Sequence, residues 1–298
     1  MVRRTPLLLI VLLLAACSPA PEKQAAPPPP SSAPSPAAVS PSAPTAASPA
    51  KREAPRKSLD IAKKERDFQR GTDRPLPTTV WYPTEGEGPF PLIVFSHGLT
   101  SEPSAYAAVL RAWAEAGFVV AAPKFPHTHY RTREFDALDV INQPADVSEV
   151  ITRMLATDAD GLIDPRRIAA AGHSAGGITT IGLFSGNRDD RLTAAVVMSG
   201  RLVLNLPFAG DPAPMLFVHG KLDRTVPYRD GLAAFNAVPW PKAMMAVTEG
   251  GHVAITKDFE PVIATTTDFL RYALYGDAAA KSRLKKDATS RATLIDKL

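Results

Sequence analysis

The chain of 298 residues holds one cysteine, Cys17, so no disulfide can form within it. It also lacks a strong charge of one sign. Lys and Arg total 34 against 30 Asp and Glu, for a net +4, and Arg3 and Arg4 supply two of those charges at the extreme N-terminus. The balance left to the rest of the chain is too small and too dispersed for a nucleic-acid partner. No apolar run reaches the roughly 20 residues needed to span a bilayer. The eight-residue run Leu7–Leu14 falls well short. There is no internal repeat.

What is present at the front reads as an address. Arg3 and Arg4 precede the apolar run, and the small residues Ala15 and Ala16 follow it, the pattern of a bacterial export signal over residues 1–16. A cleaved signal alone is the simpler reading. The segment Leu14-Ala15-Ala16-Cys17, however, looks like a lipobox, and the sole cysteine falls on its modified position. Cys17 is therefore the expected lipid-attachment residue, and acyl chains there would anchor the protein to a membrane. Ser18 stands where an aspartate would retain a lipoprotein at the inner membrane of enteric-type bacteria. The expected location is the cell envelope outside the cytoplasm, on the outer membrane or in the periplasm if the source has two membranes.

Residues 17–57 form the expected tether. Eleven prolines in the thirty-three residues 18–50, with Ala and Ser between them, leave no periodicity that could bury a face. In a polyproline conformation of about 3.1 Å per residue, that stretch would reach roughly 100 Å. The basic residues Lys51, Arg52, Arg56, Lys57, Lys63 and Lys64 read as the solvated end of this linker.

Residues 58–276 have the length and patterning of one α/β domain, and the polar, basic tail 277–298 is expected to pack loosely. Short β-rich runs alternate with helical patterns, which argues for a mostly parallel sheet with helices on both faces. Expected strands are 78–82, 92–96, 118–122, 168–171, 194–198, 215–219 and 243–247. Expected helices are 103–115, 145–156, a helix from the residue after Ser174 to about 185, 231–237 and 258–275. Leu92 to Ser96 is continuously apolar up to its last residue, as befits a strand covered on both faces.

Between the strand at 168–171 and the helix that follows lies Gly172-His173-Ser174-Ala175-Gly176, a G-x-S-x-G elbow in the setting it requires. A tight strand-to-helix turn lifts the serine above the sheet, and its near neighbours must lack bulk. Ser174 is the candidate nucleophile. A serine hydroxyl needs an adjacent base, and of the six histidines only His219 and His252 follow Ser174. His219 ends a strand and reads as a packed core histidine. His252 sits on the loop after the last expected strand, behind Glu249-Gly250-Gly251, and is the candidate base. Asp223, just past the strand ending at His219, is the candidate acid. Asp211 lies at the wrong end of that strand, and Asp230 falls too far along. The oxyanion of a tetrahedral intermediate needs donors. The backbone N–H groups of Ala175 and Leu99 are the candidates, with His97 ordering the second loop. His127 and His129 have a metal-like spacing but no third ligand nearby. No metal and no cofactor is expected.

These motifs resemble an α/β hydrolase of the dienelactone hydrolase type, near the platelet-activating-factor acetylhydrolase and bacterial polyester hydrolase branches. The resemblance covers residues 66–275. It rests on Arg74-Pro75-Leu76-Pro77 with Val80-Trp81-Tyr82-Pro83, on Phe95-Ser96-His97-Gly98, on the elbow through Gly177, on His219-Gly220 with Asp223, and on Gly250-Gly251-His252. The chain departs from true dienelactone hydrolases in carrying Ser174 where they carry cysteine. The resemblance implies an acyl-enzyme mechanism without a cofactor, acting on carboxylic esters. Only residues 201–213 separate Gly200 from Pro214, too few for a cap domain, so an open cleft and a small or polymeric ester substrate are expected. A monomer is expected. Two readings stand beside this one: a serine peptidase or amidase on the same triad, and a non-catalytic scaffold.

Overall fold

Chain segments that are apolar on both faces end up at the centre of the sheet, and charged segments end up at its edges. The computed structural model describes residues 53–253, 260–288 and 290–298. The expected export signal, Cys17 and nearly all of the expected tether lie outside the described residues. The first two strands are β1 (Ile61–Arg70) and β2 (Arg74–Pro83), joined by a tight turn. Then come β3 (Phe90–Ser96), helix α1 (Ala107–Glu115) behind a 3₁₀ turn at Pro103–Tyr106, and β4 (Val119–Pro123). Helix α2 (Gln143–Ala156), β5 (Ile163–His173), α3 (Ala175–Gly182) and β6 (Leu192–Met198) follow. The chain continues with β7 (Met215–Gly220), α4 (Tyr228–Ala237), β8 (Lys242–Val247), α5 (Glu260–Leu270), α6 (Ala278–Asp287) and β9 (Ala292–Lys297).

The nine strands form one sheet in the order β1-β2-β4-β3-β5-β6-β7-β8-β9. The six from β4 to β8 run parallel, and β1, β2 and β9 are added antiparallel at the two edges. This is the mostly parallel α/β architecture the alternation of patterns predicts. Residues 201–214 contain no helix or strand, so no cap stands over the sheet there.

Alternation along β3 shows how the layers are built. Leu92 and Val94 face α2, α3 and α4, packing with Val147, Ile151, Ile181 and Phe235. Ile93 and Phe95 face α1, α5 and α6, packing with Leu110, Trp113, Phe269 and Leu284. All four strand residues are fully buried, as a strand covered on both sides must be. The indole N–H of buried Trp113 still finds an acceptor, Thr266 Oγ1 at 3.1 Å, so its one donor is satisfied.

Three segments differ from the sequence-based expectation. Lys63 and Lys64 do not belong to a solvated linker end but lie in edge strand β1, a segment for which no strand is expected from the sequence. Its charges alternate outward, which keeps a sheet edge soluble and hides the strand from a search for apolar alternation. The tail beyond 276 does not pack loosely: α6 buries Ala280 and Leu284, and β9 pairs with all of β8. Few apolar residues are needed there, because the ladder to an existing edge does most of the ordering. The domain also starts before residue 58, since Ala54 is buried in the core.

The point where the chain joins the domain is fixed by backbone contacts. Arg271 Nη2 donates to the Pro55 carbonyl at 2.7 Å, and the Leu59 N–H donates to the Glu115 carbonyl at 2.8 Å. Pro55 also packs against Gly117, two residues before β4 begins. The chain therefore enters at the amino edge of the parallel strands.

Candidate active site

The strand order reverses direction at β3: β4 lies on one side of it and β5 on the other. In an open α/β sheet, the crevice at the carboxyl ends of two such strands is where ligands bind. Ser174 stands at that point, between β5 and α3, with φ 57° and ψ −117°. A non-glycine residue in this region is strained, and the turn survives because its neighbours are glycines. A Cβ on Gly176 would lie 1.9 Å from the Ser96 carbonyl oxygen, and one on Gly172 would lie 2.2 Å from the Gly176 oxygen. The Ser174 N–H is held by the Met198 carbonyl of β6 at 2.9 Å.

Loops from two later strands meet this serine. His252, five residues past β8, places Nε2 at 2.9 Å from Ser174 Oγ, so the hydroxyl donates to the ring. His252 Nδ1–H donates to Asp223 Oδ2 at 2.8 Å. Asp223, three residues past β7, accepts at its other oxygen from the N–H groups of Thr225 and Val226, each at 2.9 Å. Its side chain is fully buried. Burial opposes its ionisation, yet the hydrogen bonds from His252 and these N–H groups outweigh it and hold its carboxyl below the ordinary range. The carboxylate stays charged and oriented towards the imidazole.

The residues of the two sequence-predicted backbone donors lie in segments that adjoin Ser174. Ala175 is the first residue of α3, where helical N–H groups have no partner within their own helix. Gly98 touches the nucleophile, since a Cβ there would lie 3.2 Å from Ser174 Cβ, and Leu99 follows it. His97 orders this loop: its Nδ1–H donates to the Gly98 carbonyl at 2.8 Å, and its Nε2 accepts the Phe125 N–H at 3.2 Å. Burial pushes the His97 pKa down to about 4, so the ring serves as a neutral clamp. Positive φ at Thr100, 51°, completes the bend.

The remaining histidines have other partners. His219 is buried, donates Nε2–H to the Val226 carbonyl at 2.8 Å, and so braces the loop that carries Asp223. His127 and His129 each bond a backbone carbonyl, of Glu134 and Tyr130. Among the described residues, no group of three or more His, Cys, Asp or Glu side chains is arranged to hold a metal.

Two buried polar chains escaped the sequence reading. Gln143 Nε2 donates to Thr128 Oγ1 at 2.8 Å, and Thr179 Oγ1 donates to Gln143 Oε1 at 2.6 Å, tying the loop after β4 to α2 and α3. Tyr106 and His173 form the second, through a 3.0 Å bond between Tyr106 Oη and His173 Nδ1. The place of His173 inside the elbow was a signal for the second chain, whereas nothing in the sequence marks Tyr106.

The site thus joins a hydroxyl, an imidazole and a carboxylate through two successive hydrogen bonds. The model of the Chlorophyllase family matches residues 55–200, a stretch that runs from ahead of β1 to just past β6. Leu99, Ser174 and Ala175 fall within the match, while Asp223 and His252 lie beyond it. No curated protein matches the chain. The fold is that of an α/β hydrolase, and through β6 the chain is similar to the Chlorophyllase family.

Proposed function

We propose that this protein hydrolyses carboxylic esters through an acyl-enzyme on Ser174. The single observation that carries the reading is the continuous bond path from Ser174 Oγ through His252 to Asp223, at 2.9 and 2.8 Å. His252 takes the hydroxyl proton as Oγ attacks the ester carbonyl, and the carbonyl electrons move to oxygen. The N–H groups of Leu99 and Ala175 are the proposed donors to that oxyanion. Collapse expels the alcohol, protonated by His252. Water then attacks the acyl-enzyme, gives its proton to the same imidazole, and releases the acid as Ser174 recovers its proton. Asp223 stays ionised throughout and stabilises the imidazolium. The similarity to a family named for an esterase acting on chlorophyll supports ester chemistry.

The surroundings support an apolar ester. Every large apolar side chain that is exposed among the described residues lies on a segment that follows the carboxyl end of a strand, the edge of the sheet that carries Ser174. Phe135, Leu138 and Ile141 follow β4, and Val203, Leu204 and Leu206 follow β6. Ile141, Val203, Leu204 and Leu206 also line a groove along α3, floored by Ile178 and Ile181. Exposed apolar groups concentrated at one edge mark a binding surface. The reading extends to location: the export signal and Cys17 support a lipid-anchored enzyme outside the cytoplasm, on the outer membrane or in the periplasm of a two-membraned source. Its partner is the ester substrate, with no nucleic acid involved.

The test is a series of p-nitrophenyl esters from acetate to palmitate, with peptide p-nitroanilides alongside, on the wild type and Ser174→Ala. Ester turnover lost in Ser174→Ala, together with covalent labelling of the wild type by a fluorophosphonate, is the expected result. Equal turnover by both proteins would overturn the nucleophile, and faster anilide cleavage would replace esterase by peptidase. Palmitate incorporation at Cys17, abolished in Cys17→Ala, tests the anchor.

A further inference from the structure

Resting on Ser174 as the nucleophile, we infer that Tyr106 and His173 are positioning residues that couple the loop of the base to the loop of the oxyanion donors. The coupling is one directed chain of hydrogen bonds. The His252 carbonyl can only accept, so His173 Nε2, 3.0 Å away, carries a proton and donates it. In the neutral ring, Nδ1 is then an acceptor, and the Tyr106 hydroxyl donates to it at 3.0 Å. The Tyr106 oxygen in turn accepts the Gly98 N–H at 3.1 Å. No member has to serve as donor and acceptor through the same proton, so a single arrangement satisfies all of them.

The chain closes a ring around the nucleophile. His173 precedes Ser174 in sequence, His252 holds the Ser174 hydroxyl, and Gly98 touches Ser174 and leads into Leu99. Moving any one loop therefore strains the other. Tyr106 and His173 are both almost fully buried, where an unsatisfied polar group is costly. Packing alone does not call for these groups. Tyr106 packs against Phe95 with ring centroids 4.7 Å apart and the planes tilted by 55°, a contact phenylalanine would keep.

Neutral His173 also suits the chemistry. Its ring centroid lies 4.8 Å from that of His252, which becomes positive in each proton transfer. The titratable groups that face His173 are Tyr106, His252, Asp223 and His219. Burial first, and then the His252 charge, push its pKa down to about 4. Protonation at Nδ1 would reverse its bond with Tyr106 and leave the Tyr106 hydroxyl hydrogen without that acceptor. The path so preserves the uncharged tautomer beside the imidazolium.

Tyr106→Phe, His173→Phe and His173→Gln test this, compared with the wild type and Ser174→Ala on a soluble p-nitrophenyl ester. Tyr106→Phe and His173→Phe are expected to lower kcat about 10- to 100-fold, the scale of a small misplacement of reacting groups, with KM within about twofold. In His173→Gln the side-chain amide regains a donor for the His252 carbonyl, and most of the lost rate should return. The low-field His252 Nδ1–H proton resonance, read by NMR without any substrate, should broaden or shift in Tyr106→Phe. Unchanged kcat and an unchanged resonance in folded Tyr106→Phe would overturn the inference. So would a Gln variant no faster than the Phe variant. A wild-type rate in Ser174→Ala is a different failure, because it removes the nucleophile itself. An inactive Ser174→Ala beside a fully active Tyr106→Phe removes only the coupling.

Discussion

Arg74 grips Asp146 with two hydrogen bonds, Nε to Oδ1 at 2.9 Å and Nη2 to Oδ2 at 2.5 Å, and the Asp146 side chain is fully buried. The same guanidinium reaches both oxygens of Asp139, at 2.8 and 3.0 Å, and Arg70 adds a bond to Asp146 at 2.6 Å. Two cations, Arg74 at the start of β2 and Arg70 at the end of β1, thus face two carboxylates, Asp146 opening α2 and Asp139 on the turn before it, and Arg74 bridges the pair. That turn carries Ile141 and the apolar rim. The carboxylates raise the Arg74 pKa still further, with the Asp146 hydrogen bonds the largest cause.

Removing one partner of a buried pair leaves a charge uncompensated, at a cost of about 3–5 kcal/mol. Arg74→Met should therefore lower stability by about that amount in urea unfolding, with loss of ester turnover at temperatures where the wild type is active. Arg70 still pairs Asp146 in that variant, so the exposed charge is that of Asp139, and adding Asp139→Asn to Arg74→Met should recover part of the loss. If the double variant were no more stable than the single one, the buried charge would not be the cause.

Asp223→Asn should keep the fold and lose the orientation of His252. An amide can present its N–H to His252 Nδ1 and favour the wrong tautomer. The expected fall in kcat is about 10³- to 10⁴-fold, the order seen when a triad acid is made an amide, with little change in KM. Steady-state kinetics on a p-nitrophenyl ester would show it, and a loss below tenfold would point to another acid.

Acid should destabilise the fold through two histidines. His97 and His173 are held neutral by burial, each with a pKa of about 4, below the unfolded value near 6.5. Between those values the unfolded chain binds up to two more protons than the folded one, so stability rises with pH across the window. The contribution is complete above about pH 6.5 and is lost as pH falls towards 4. Chemical denaturation at half-unit steps should give a slope of up to about 1.4 kcal/mol per pH unit for each histidine. A flat profile there would contradict the assignment of both rings as neutral.

The apolar rim should set chain-length preference. Ile141→Ser and Leu204→Ser remove apolar contacts from the groove along α3 but leave Ser174, Asp223 and His252 untouched. Each should cut kcat/KM on a long-chain ester about tenfold, with acetate turnover unchanged; a methylene or two in an apolar pocket is worth about that much. The ratio of palmitate to acetate rates is the measurement, and a ratio equal to that of the wild type would separate the groove from the substrate.

Local pattern made part of this legible in advance. The central strands announced themselves because burial on both faces demands unbroken apolar runs, as at Leu92–Phe95. The elbow was readable because sterics confine glycine to positions 172 and 176. Chain order then narrowed six histidines and several aspartates to His252 and Asp223, and the structure brings these two together with Ser174. β1 and β9 were not legible, since edge strands are paired by backbone and can carry Lys, Glu and Asp along their length. Tyr106 was invisible for a different reason. Its partner His173 lies 67 residues away, and no local pattern encodes a contact that only the closed sheet creates.

Pro55 is pinned at the amino edge of the strands by Arg271 and Gly117, whereas Ser174 opens at their carboxyl edge. The described chain therefore enters the domain at one edge of the parallel strands, and the site opens at the other. Pro55 and Arg271 are separated from the catalytic loops by the length of those strands.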